Sequence, residues 1–139
     1  MINKPLHMDI VTPDGVLFSD NVEELKAPGI HGEFGILPGH TEYLVVLKTG
    51  VLAYRKSGAW KGMVIDSGYA VVENDNIKII ISSAEPAEGI DFKVAASDRD
   101  KVMNEMKDLS LDSPEFAKLE SLYHKAIVRI QAYEQFAKK

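Results

Sequence analysis

Apolar residues recur at alternate positions or in short unbroken runs through residues 7–82, and at every third or fourth position through residues 92–137. In His7-Met8-Asp9-Ile10-Val11-Thr12 the alternation marks a strand, and Pro13-Asp14-Gly15 ends it in a turn. Val16–Phe18 and Asn21–Ala27 read as further short strands. Tyr43–Leu47 is a continuous apolar run of strand length, turned at Thr49-Gly50. Val51–Lys56, Trp60–Asp66, Tyr69–Glu73 and Ile77–Ser82 follow, separated by Ser57-Gly58, Ser67-Gly68 and Asn74-Asp75. Roughly nine short strands at this spacing predict an all-β sandwich or barrel. Val45, Val46, Val64, Ile65, Val71, Val72, Ile79 and Ile81 are its expected core.

After Gly89 the period lengthens to about 3.6 residues. Phe92, Ala95, Arg99, Val102, Met106 and Leu109 predict a helix from Asp91 to Leu109. Ser113-Pro114-Glu115 is a helix start: serine caps, proline suits the first helical position, and glutamate favours the positive end of the dipole. Phe116, Leu119, Tyr123, Ala126, Ile130, Tyr133 and Ala137 then form one seam almost to the C-terminus. The link at Ser110–Asp112 is short enough to require an antiparallel αα-hairpin. All ten glycines lie at or before Gly89. That shift divides the chain into a β-sandwich domain, 1–89, and a two-helix hairpin domain, 90–139. Two helices of this length have little core of their own, so the hairpin is expected to be a mobile element.

Between the third and fourth predicted strands lies Gly32-Glu33-Phe34-Gly35-Ile36-Leu37-Pro38-Gly39-His40. Its glycines and proline fit a tight, irregular turn. Phe34 and Ile36, two apart, point to one face of a short strand, and Glu33 and His40 are the polar residues left at its ends. Local physics alone favours an ordinary turn with a hydrogen-bonded histidine over a contact surface.

Composition narrows the function. The 139 residues are 45% hydrophobic, with a formal net charge of −5 and no cysteine. Nucleic-acid binding by the whole chain, disulfides and thiol chemistry are thereby excluded. The start lacks the pattern of a signal peptide, and no apolar run is long enough to span a membrane. Residues 1–89 hold 12 acids and 7 bases, whereas residues 90–139 hold 9 of each. The last helix, Ser113–Lys139, is slightly basic, with 3 acids and 5 bases. No nucleophile elbow, Walker loop or dinucleotide fingerprint occurs. His7, His31, His40 and His124 lack metal-ligand spacing, and Glu33 has no paired carboxylate. Catalytic residues, metal and cofactor are therefore all expected to be none.

Thr12-Pro13-Asp14-Gly15, Ala27-Pro28-Gly29, the Gly32–His40 run, Leu47-Lys48-Thr49-Gly50 and Ser67-Gly68-Tyr69 together resemble the ε subunit of F-type ATP synthase. The resemblance covers nearly the whole chain. It implies a ten-stranded β-sandwich followed by a helical hairpin, and a non-catalytic place in the central stalk of a proton-translocating enzyme. The implied partners are the γ subunit, the membrane c-ring, and the α/β catalytic head, reached through the helices. The implied role is to couple rotation to the head and to inhibit ATP hydrolysis when the helices extend. The chain would then lie peripherally on the cytoplasmic face of a bacterial inner membrane. Glu33, Phe34, Gly35, Pro38, Gly39 and His40 take the positions of the c-ring and γ contact. Lys125, Arg129, Lys138 and Lys139 are the cations that would meet acidic segments of the head. Some family members bind ATP through Ile/Leu-Asp-x-x-Arg-Ala. Here Ile90-Asp91-Phe92-Lys93-Val94-Ala95 matches except that Val94 replaces the arginine, with Lys125 and Arg129 as the second-helix cations. Valine cannot supply the guanidinium's phosphate-matching donors, so ATP binding is expected to be weak or absent. A competing reading is a free-standing ligand-binding sandwich with a helical lid. It predicts a small-molecule pocket instead of copurification with γ and the c-ring.

Overall fold

A computed structural model describes residues 5–39 and 42–138. Among them, ten strands precede two helices. The strands are β1 (Leu6–Thr12), β2 (Gly15–Val22), β3 (Glu24–Gly29), β4 (Gly32–Ile36), β5 (Tyr43–Leu47), β6 (Gly50–Lys56), β7 (Ala59–Ile65), β8 (Gly68–Glu73), β9 (Asn76–Ile81) and β10 (Ala84–Pro86). They form one sheet in the order β10-β7-β6-β3-β5-β8-β9-β1-β2, with β4 added to β3. All pairs are antiparallel except β1 with β9.

The sheet curls back on itself. The Glu23 amide donates to the Arg55 carbonyl at 2.8 Å, and the Arg55 guanidinium reaches Glu23 and Glu24. Lys56 pairs with Asp20, and the Phe18 and Tyr54 rings lie 5.0 Å apart. These contacts bring β2 against β6 and give the sandwich-like form expected from the strand pattern. Alternation does the rest: Leu6, Met8 and Ile10 on β1, and Ile77, Ile79 and Ile81 on β9, share a core with Leu25, Ile36, Leu52 and Ile65. Burying each such side chain contributes roughly 1.5–3 kcal/mol.

Some expectations change. Val16–Phe18 belongs to a strand that continues to Val22, and the break falls at Glu23, where the chain turns toward β6. Val46 is not core but exposed, and Val45 and Val71 are only half-buried. Although Tyr43–Leu47 is apolar throughout, a strand in a sheet turns alternate residues to opposite faces.

On the outer face of β1 and β2, His7 sits between two oxygen acceptors. Its Nδ1 lies 3.0 Å from Asn21 Oδ1 and its Nε2 3.2 Å from Asp9 Oδ1. Ser19 donates to the same Asp9 oxygen at 2.5 Å. Both contacts want an N–H from the ring, so the imidazolium fits best. The Asn21 bond, with help from Asp9 and Asp20, raises the His7 pKa, while desolvation opposes it. A raised folded-state pKa stabilises most below the unfolded value and loses that stabilisation as pH rises through the folded value. The stability advantage of the wild type over His7→Gln is therefore expected to shrink between about pH 6 and pH 8, a window that spans the free histidine value of 6.5 and extends above it, where the raised folded value lies. Urea titrations at the two pH values check it; an advantage that grows with pH would refute it.

One compact unit ends at Pro86 and a second begins at Ala87. The second holds a 3-10 turn (Ala87–Gly89), α1 (Phe92–Met106) and α2 (Pro114–Phe136). Asp91 caps α1 by accepting from the Val94 amide at 3.1 Å, and Ser113 caps α2 by accepting from Phe116. The first helix stops short of Leu109, because the Leu109 amide closes a tighter bond on the Met106 carbonyl at 3.2 Å and starts the reversal. The helices pack together as a hairpin, and α2 also packs on the 3-10 turn. Ala126 and Ile130 of the expected seam are buried, but so are Val128 and Ala132 beside it. Phe116, Leu119 and Tyr123 stay half-exposed, which leaves the hairpin's tip thinly packed.

Candidate functional site

The Gly32–His40 stretch is more regular than a bare turn. Gly29 and Gly32 close a hairpin around Ile30-His31, and β4 runs back along β3 with Pro28 opposite Glu33. Gly32 adopts φ +126°, a backbone that favours glycine. At Gly29 a Cβ would meet the Gly32 carbonyl oxygen and a Phe34 ring carbon, each at 2.9 Å. Ile36 is buried and pins the end of β4, while half-buried Phe34 meets the Tyr43 ring edge-on at 6.5 Å. Glu33 and Gly35 are exposed on the strand, and Pro38 and Gly39 on the loop beyond it. His40 lies outside the described residues. The motif thus presents a stiff outer rim on an anchored strand.

Beside it runs an open groove of about 600 Å³, with Ile30, His31, Glu33, Phe34, Tyr43 and Leu44 among its walls. Among the described residues, no three His, Asp or Glu side chains group as metal ligands.

Sequence reasoning missed the surface next to this groove. Register places Val46 opposite Tyr69, Tyr69 opposite Ile80, Ile80 opposite Val11 and Val11 opposite Val16. Partners in register share a face, so these five form one row across β5, β8, β9, β1 and β2. Val46 is 40% exposed, Tyr69 51%, Ile80 42% and Val16 66%, while Val11 among them is half-buried. A row of this kind marks an interaction surface. The signal was present in the two unbroken runs, Tyr43–Leu47 and Ile79–Ile81, which have no polar face to offer water.

The hairpin residues do not converge on one site. Ile90 is buried, and Asp91 spends a carboxylate oxygen on the cap of α1. Lys125 and Arg129 line a separate groove of about 330 Å³ with Asp98, Lys101 and Glu105. Arg129 reaches Asp98 at 3.8 Å. Lys138 is exposed beyond the end of α2, and Lys139 lies outside the described residues. No helix among the described residues is long and apolar enough to cross a membrane.

Residues 5–87 match the model of the ATP synthase delta/epsilon chain beta-sandwich domain. The chain is 37% identical over 134 residues to the ATP synthase epsilon chain of Citrifermentans bemidjiense, covering 96% of this chain and 97% of that one. It is 34% identical over 134 residues to the ATP synthase epsilon chain of Geobacter sulfurreducens, with the same coverage, 96% and 97%. Its fold is similar to a chain in the Euglena gracilis mitochondrial ATP synthase OSCP/F1/c-ring structure, with TM-score 0.71 at 19% identity, covering 96% of this chain and 79% of that one. It is also similar to a chain of the Tetrahymena thermophila mitochondrial ATP synthase central stalk and c-ring, with TM-score 0.62 at 15% identity, covering 96% and 99%.

Proposed function

This chain belongs to the ATP synthase delta/epsilon chain family, as an epsilon chain and so a non-catalytic accessory subunit, and from that premise we propose a rotor role with two working parts. The sandwich docks on the γ subunit through the apolar row Val46–Tyr69–Ile80–Val11–Val16. It meets the polar loops of the c-ring through the rim around Glu33 and the loop that leads to His40. The row is the observation that carries the reading: an apolar strip across five strands, exposed on four of them, costs solubility unless a partner covers it. A free-standing binder with a lid gains no support from a strip that lies outside any enclosed pocket.

The hairpin supplies regulation. Arg129 and Asp98 hold α2 to α1 by a partly exposed pair worth at most about 1 kcal/mol. When the hairpin extends, that pair breaks and Arg129, with Lys125 and the basic end at Lys138, becomes available to acidic segments of the catalytic head. In this state the subunit slows ATP hydrolysis. Membrane attachment comes through the complex, on the cytoplasmic face of a bacterial inner membrane.

Two measurements on the assembled enzyme test the reading. The full chain is expected to copurify with γ and the c-ring. Removing residues 90–139 is expected to raise ATP hydrolysis several-fold while the sandwich stays bound. A chain that never enters the rotor would defeat the docking role, and an unchanged hydrolysis rate would defeat the regulatory one.

A further inference from the structure

The loop that follows β4 is held from a distance. The Gly39 amide donates to Asp75 Oδ1 at 2.6 Å, across 36 residues of chain. Asp75 is itself fixed. It and Asn74 form the two-residue turn of the β8–β9 hairpin, at φ +65° and +48°, with Glu73 and Asn76 as the closing pair. Two left-handed residues match the twist of a tight hairpin, and Asn and Asp tolerate that backbone better than most. The Asp75 carbonyl also accepts the His7 amide at 2.9 Å, which ties the turn to the start of β1. The carboxylate therefore projects from a turn braced by three strands. It meets a loop whose glycine sits at φ +84° and whose Leu37, Pro38 and Gly39 are exposed.

We propose that Asp75 is the positioning residue of the rotor-contact loop: its carboxylate holds the Gly39 backbone so that the Leu37–Gly39 segment meets the rotor partner in one shape. The proposal rests on the docking role given above. A bond from a backbone amide to an ionised carboxylate is about twice as strong as a neutral one, and it spares the loop part of its ordering cost at contact. Glu33 and Gly35 get their position from strand pairing. The loop lies beyond β4, and the braced carboxylate gives it a comparable anchor.

The test uses the full chain and two variants. Asp75→Gly removes the acceptor but keeps a residue that favours the left-handed turn. Asp75→Asn keeps both an acceptor oxygen and the turn. Unfolding midpoints of both are expected to match the wild type. Amide exchange at Gly39 is expected to be about tenfold faster in Asp75→Gly and within about threefold in Asp75→Asn. Affinity for a γ/c-ring subcomplex is expected to fall about tenfold for Asp75→Gly and to be retained by Asp75→Asn. Unchanged exchange at Gly39 in Asp75→Gly overturns the proposal, whatever the affinity. Faster exchange with full affinity also overturns it, because the held shape would not matter to contact. If the wild type itself fails to bind the subcomplex, the docking role falls instead, and loss of Gly39 protection still reports what Asp75 holds.

Discussion

Replacing Gly68 by alanine is expected to destabilise the sandwich by about 3 kcal/mol or more, a large part of the ~5–15 kcal/mol that holds a domain of this size together. Gly68 opens β8 between two neighbours, opposite Leu47 of β5 and Ile81 of β9. A Cβ there would stand 2.0 Å from the Ile80 carbonyl oxygen and 2.9 Å from Ile81 Cγ2. The first of these is backbone and cannot rotate away. Relief requires β8 and β9 to separate, which breaks ladder bonds at the centre of the sheet. Gly35→Ala is the control, since its Cβ would find nothing nearer than the Leu25 carbonyl at 3.8 Å. Its cost should stay within about 1 kcal/mol. Urea unfolding separates the two through a lower midpoint at similar slope. Equal midpoints for the two variants would contradict the crowding argument.

Tyr69→Glu is expected to leave the fold nearly intact yet weaken docking on γ about a hundredfold or more. The ring is half in solvent, so its loss from the free chain changes stability by less than about 1 kcal/mol. In the docked state Tyr69 lies mid-row between Val46 and Ile80. A carboxylate there would have to lose its water between the apolar side chains of Val46 and Ile80. Lys61→Glu, on β7 and off the row, reverses a charge at an exposed position and should leave affinity within a few-fold. Binding of both variants to γ, measured against an unchanged thermal midpoint, distinguishes docking from folding. Full affinity in Tyr69→Glu would remove the row from the interface.

The legible parts of the chain were those governed by local rules. Alternation, apolar runs and turn residues located most of the strands, though β4 was read as a turn, β10 was missed and Asn21–Ala27 straddled the break between β2 and β3. Period-3.6 spacing located both helices. Ser113-Pro114 marked the start of α2 to the residue, because capping is a local bond. The end of α1 was misplaced because a reversal, rather than the apolar pattern, stops it. Val46 was assigned to the core because an unbroken apolar run hides which face looks outward. That choice belongs to the register with β8, which pairing across some twenty residues of chain imposes.

The sequence alone determined that a β region carrying every glycine gives way to helical spacing near residue 89 and that a capped two-helix hairpin follows. These follow from dihedral preference and periodicity, which act between near neighbours. Only the tertiary structure decided that five apolar side chains from five strands line up in one row, four of them exposed, that Gly68 has no space for a methyl group, and that Asp75 reaches Gly39. Each of those facts depends on which strands lie side by side, and strand order is set by long-range burial rather than by any residue's neighbours in sequence.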